Sequence, residues 1–170
     1  MHSRVFCMTT KLDAEAIEDA LNLDENDVVD WIPGADYAVG RNKAEVQEDV
    51  DWLAEWLGIK RENEKDDNLI KPKVVSYDDE DYSCWPIPVE KLKRRLEKEV
   101  RRRVKNIRKL LKEPVPDLHS IAYEAYNQKG FFFWLDGTLM NEIDFYEFLN
   151  SKHNKDLTTL YVVGSFDYHF

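Results

Sequence analysis

The chain has 170 residues, of which 34 are acidic and 24 basic, for a formal net charge of −10. With 43% hydrophobic and 34% charged residues it has the composition of a globular domain with a heavily charged surface, large enough to bury a core without disulfides or metals. No window reaches the length of a membrane span and there are only two cysteines, which excludes a membrane-spanning helix and a disulfide scaffold.

The charge is unevenly laid out. Residues 1–82 hold 22 acids and 9 bases, residues 83–113 hold 4 acids and 12 bases, and residues 114–170 hold 8 acids and 3 bases. Global acidity disfavours non-specific binding to nucleic acid, but a local basic ridge can still bind.

In chain order, Ser3 to Thr10 reads as a short strand, buried on both faces because Val5, Phe6, Cys7 and Met8 run consecutively. Asp13 caps a helix with Ala16, Ile17, Ala20 and Leu21 on its apolar face, ending near Asn22. Asp24 and Asp27 cap a short helix through Val28, Val29, Trp31 and Ile32, stopped by Pro33-Gly34. Tyr37 to Val39 is a brief strand. Asn42 and Glu45 form a capping box for a helix ending at Gly58, with Val46, Val50, Leu53 and Leu57 facing one way. Trp52 and Trp56, one turn apart beside that face, are read as covering the edge of the core.

Lys60 to Lys73 is polar and without pattern, a mobile loop or the join between two lobes. Lys73 to Tyr77 is a strand. The acidic run Asp78, Asp79, Glu80 and Asp81 follows, and Trp85-Pro86-Ile87-Pro88 leads into the next helix. That run lacks the spacing and central glycine of a calcium loop, and is expected to lie back against the basic helix.

Pro88 to Glu113 is the strongest helical segment, with Pro88 suited to a first helical position and Pro114 forbidding continuation. Val89, Leu92, Leu96, Val100, Val104, Ile107 and Leu111 form one narrow apolar stripe. Arg94, Arg95, Lys98, Arg101, Arg102, Lys105, Arg108 and Lys109 fall opposite it, and the acids sit at the flanks. The expected picture is a sign-segregated basic ridge rather than a helix laced with salt bridges.

Beyond it, Asp117 caps a helix through Leu118, Ile121, Ala122 and Ala125, ended by Gly130. Phe131 to Leu135 is a buried strand and Asp136-Gly137 a turn. Asn141 and Asp144 cap a helix carrying Phe145, Phe148 and Leu149. Leu157 to Phe170 is strand-like, with Gly164-Ser165 marking a bulge or a tight turn. The irregular order predicts an α+β fold with a small, mainly antiparallel or mixed sheet packed with several helices, including the long basic one at about 88–113. The chain is read as one domain over 1–170, with two lobes, 1–59 and 73–170, joined by the charged loop 60–72 as the alternative.

No catalytic motif stands out. Phe131 to Leu139 superficially resembles the first motif of haloacid-dehalogenase-type phosphatases. Trp134 occupies the nucleophile position, however, and only Asp136 of the two aspartates is present, so Asp136-Gly137-Thr138 is read as a turn. His2, His119, His153 and His169 are isolated and the cysteines fit no metal spacing, so no metal or cofactor site is assigned. The expectation is a non-catalytic binding protein of regulatory, inhibitory or immunity type in the reducing cytoplasm, away from membranes. It would work through charge-complementary protein contacts, self-association included, using an acidic surface of the first half that includes Asp78, Asp79, Glu80 and Asp81, or the basic ridge. Nucleic-acid binding by the basic helix is the alternative, and a small enzyme with a spatially assembled acid–base pair the third reading.

Overall fold

A computed structural model describes residues 2–60, 67–126 and 130–169, so residues 61–66 of the expected loop 60–72 lie outside the described residues. In chain order the elements are β1 (His2–Thr9), α1 (Ala14–Leu21), α2 (Glu25–Trp31), β2 (Tyr37–Gly40), α3 (Lys43–Trp56), β3 (Lys73–Tyr77) and β4 (Glu80–Pro88). There follow α4 (Val89–Leu110), α5 (Leu118–Tyr126), β5 (Phe132–Leu135), β6 (Thr138–Asn141), α6 (Glu142–Asn150) and β7 (Thr159–His169), with a 3₁₀ turn at Lys152–Asn154. The fold is α+β, as expected, and its seven-stranded sheet is mixed.

The sheet runs β3-β4-β7-β1-β5-β6, with β2 attached to β7. β1 pairs parallel to β5 and antiparallel to β7. Because side chains alternate across a strand, the continuous apolar run of β1 feeds two cores. Val5 and Cys7 join Ile17, Val28 and Ile32 of the α1–α2 side, together with Trp134 and Tyr168. Phe6 and Met8 join Val50 and Leu53 of α3, Leu92 and Leu96 of α4, and Phe145 and Leu149 of α6. The Phe133 and Phe145 rings stack at 4.2 Å. Trp52 and Trp56 stand edge-on to Phe131, closing the border of that core.

Helix starts follow the capping chemistry. Asp13 accepts a hydrogen bond from the Ala16 N–H, Asp24 and Asp27 complete a capping box, and so do Asn42 and Glu45. The Gly164 region is a bulge, since the β1–β7 register shifts between Cys7, opposite Gly164, and Met8, opposite Val162.

Two strands depart from the sequence reading. The acidic run forms part of a hairpin. Asp78 and Asp79, at φ 46° and 64°, form the two-residue turn of a hairpin, and Glu80 and Asp81 open β4. Asp136 and Gly137, at φ 50° and 72°, turn in the same way into β6. Both strands were hidden because neither shows a clean apolar alternation.

Two ionic hubs sit inside this frame. Asp49 of α3, only 2% exposed, accepts from Arg4 Nε at 2.5 Å, Ser165 Oγ at 2.8 Å and Arg41 Nε at 3.3 Å. Arg4 also donates to Asp167. The hub thereby ties α3 to β1 and β7. In the second, Arg103 of α4 donates to Glu142 of α6 at 2.9 Å, and both residues are buried. Glu142 also accepts from the Phe131 N–H. Burial pushes the Glu142 carboxyl up and the Arg103 guanidinium down, each against the attraction of its partner.

Two stability outcomes follow from breaking these hubs. Asp49→Ala removes the acceptor shared by Arg4, Arg41 and Ser165 and costs about 1.5–3 kcal/mol, since the partly buried Arg4 keeps Asp167 and Arg41 keeps Glu45, against about 1 kcal/mol for Ser165→Ala; urea unfolding should show a lower midpoint at unchanged slope. Arg103→Met alone should cost about 3–5 kcal/mol by removing the buried cation that faces the Glu142 carboxylate. Adding Glu142→Leu should recover part of that loss, the remainder reflecting the Phe131 N–H that loses its acceptor, a pattern a double-mutant cycle reads directly.

Candidate functional site

The α4 helix spans 22 residues, about 33 Å at 1.5 Å per residue. It ends at Leu110, earlier than Glu113, because the Lys112 and Glu113 amides bond back to Lys109 and Leu110 and tighten the last turn before Pro114. Its buried line is Val89, Leu92, Leu96 and Arg103. The expected apolar stripe therefore holds only for the first half. In the second half the helix turns Arg103 inward, leaving Val104 40% and Leu111 56% exposed. Arg103 is the residue the sequence reading missed, since no local pattern marks one arginine of a basic run as buried.

Of the eight expected ridge residues, Arg94, Lys98, Arg101, Arg102, Lys105, Arg108 and Lys109 are exposed. Arg95 is not: it is partly buried, lies 4.9 Å over the Trp56 ring and pairs with Glu99. The sign segregation is also corrected. Arg94 pairs with Glu90 at 2.8 Å, Arg101 with Glu97 at 2.6 Å and Arg102 with Glu99 at 3.0 Å. Flanking glutamates one turn away lie within reach of these long side chains, so the arginines lean toward them. Lys98, Lys105, Arg108 and Lys109 form no ion pair among the described residues.

The acidic residues Asp78, Asp79, Glu80 and Asp81 do not fold back onto this ridge. Asp81 accepts from Ser76, and Tyr82 donates to Glu80 and Glu18. The nine residues of β4 separate the turn from the helix by an extended strand of roughly 30 Å. Solvent, not the chain's own acidic run, meets the outer face of α4.

The far end of α4 is apolar as well as basic. None of the residues of α5 is buried, and Val115, Leu118 and Tyr126 are 84%, 74% and 67% exposed. Val104, Leu111, Val115 and Leu118 give the end of α4 and the start of α5 exposed apolar side chains, with Tyr126 at the other end of α5, and Asn106 fixes the pair of helices by donating to Glu124.

A separate cleft of about 1160 Å³ opens beyond the carboxyl ends of β1 and β5, lined by Lys11, Glu15, Asp19, Trp31, Trp134 and Asp136 among others. Trp31 lies over Trp134 at 5.5 Å. Two further carboxylates of the lining, Asp13 and Asp27, are engaged as helix caps. The cysteines offer no nucleophile, because both are buried and burial pushes the Cys7 thiol up to about 12 and raises Cys84 as well. Among the described residues no helix is long and apolar enough to cross a membrane, and no group of three or more His, Cys, Asp or Glu side chains gathers as a metal cage. Compared with protein-family models, curated proteins and solved structures, the chain finds no significant match.

Proposed function

We propose that the protein is a non-catalytic binding protein, of regulatory, inhibitory or immunity type, that docks an acidic protein surface on the outer half of α4. The observation that carries this reading is the uncovered face itself. Lys98, Lys105, Arg108 and Lys109 stand exposed and unpaired among the described residues, beside the exposed Val104, Leu111 and Leu118. Cations beside apolar groups suit a partner that offers carboxylates for steering and apolar area for affinity. The free, buried state of Cys7 and Cys84 fits a reducing cytoplasm.

The same bare ridge supports a second reading, contact with nucleic-acid phosphates. Glu90, Glu97 and Glu99 weigh against it, since they already pair with Arg94, Arg101 and Arg102 and would face a phosphate backbone. A net charge of −10 weighs the same way.

Reversing four charges, in Lys98→Glu, Lys105→Glu, Arg108→Glu and Lys109→Glu together, should lower thermal stability only modestly, because all four side chains are exposed and only Arg108 and Lys109 lie in the last turn of α4, where acids oppose the helix dipole. Partner recovery from nuclease-treated native cells should fall at least tenfold, and Val104→Ser with Leu111→Ser should produce the same loss without changing charge. Equal recovery by both variants would sink the reading. A gel shift with DNA or RNA that collapses with salt and vanishes in the charge variant would favour nucleic acid instead.

A further inference from the structure

The two ends of the sheet's central strands bring together histidines that lie 167 positions apart. In the β1–β7 register His2 stands directly opposite His169. Their ring centres are 5.2 Å apart. Each ring is oriented through the same nitrogen by its own carboxylate: His2 Nδ1 lies 3.1 Å from Asp167, and His169 Nδ1 lies 2.9 Å from Asp36. Tyr37 of β2 stacks on the His169 ring at 5.4 Å and meets His2 edge-on. Both imidazoles reach solvent, with side-chain exposures of 55% and 33%.

This is the arrangement that suits imidazole to a metal. A carboxylate on Nδ1 fixes the tautomer that carries its proton there, makes the ring more basic and leaves Nε2 as the donor. Two imidazoles bound to one tetrahedral ion at about 2.0–2.1 Å hold their ring centres roughly 5 Å apart, which matches the observed separation. A residue with a third donor is not at hand among the described side chains, so the remaining positions on the ion fall to water or to an external ligand.

We propose that His2 and His169 form a two-imidazole site for a borderline divalent transition metal, zinc or copper, with Asp167 and Asp36 orienting the rings. An ion there clips β1 to the end of β7, where β2 also pairs. The site prefers nitrogen-loving ions: copper binds more tightly than zinc, zinc more tightly than manganese, and magnesium not at all.

The test is calorimetric titration of Zn²⁺ into the tag-free full chain in chelator-free buffer. Saturation at one ion per chain is expected, with a rise in melting temperature. His2→Gln and His169→Gln should each weaken binding at least tenfold, and Asp36→Asn, which spares the Arg4–Asp167 pair, about tenfold. His119→Gln with His153→Gln should bind as the unmodified chain does. Substoichiometric Cu²⁺ should broaden the NMR signals of His2 and His169 first, a readout independent of how the variants fold. Absence of saturable binding, unchanged affinity in both His2→Gln and His169→Gln, or broadening centred on other residues would overturn the proposal.

Discussion

Everything else in this fold hangs on β1 being sandwiched in two directions at once. In the plane of the sheet it lies between β5 and β7, and across the sheet its side chains alternate between two apolar layers. A strand with both faces buried requires helices on both sides, and α1 and α2 supply one side while α3, α4 and α6 supply the other. The polar residues at its start, Ser3 and Arg4, then have to find partners inside the protein. Ser3 donates to the Gly130 carbonyl and Arg4 bridges Asp49 and Asp167. Charge is thus admitted to the interior only where several elements converge on it, as buried ions demand.

How much of this was readable depends on the range of the interaction. Caps are local, so Asp13, the Asp24–Asp27 pair, the Asn42–Glu45 pair and Asn141 each announced a helix start that the structure keeps. The apolar runs around Phe6 and Phe133 were long and hydrophobic enough to mark central strands. β4 and β6 were missed because their pairing with β3 and β5 is set by two-residue turns and by neighbours, not by their own pattern. The ridge on α4 was visible, but its internal pairing with Glu90, Glu97 and Glu99 was not, because helical geometry places side chains while their reach decides contacts. Arg103 and the His2–His169 pair were invisible for the same reason: each becomes special only when a residue far away in sequence arrives beside it.

The α4 helix joins these two regimes. Its first half is held by Val89, Leu92 and Leu96 and belongs to the core. Its second half has Val100, Ile107 and Leu110 only partly buried and carries the polar ties of Arg103 to Glu142 and Asn106 to Glu124. Such a helix presents a rigid base and an outer end whose apolar and cationic groups remain available. Regions with few buried apolar contacts open at lower free energy than the core, which suits a surface that has to adapt to a partner.

The position of β7 has a consequence for synthesis. It is the last strand, and it pairs with β1, β2 and β4. A chain made from its N-terminus at roughly 5–20 residues per second therefore exposes Val5, Phe6, Cys7 and Met8 for about 10–30 s before both neighbours of β1 exist. A strand that is buried on both faces in the folded protein thus waits through most of synthesis for its mates. Survival of the nascent chain then rests on what shields that edge in the interval, and the early helices α1 and α3, whose apolar faces later cover its two sides, are the first segments able to do so.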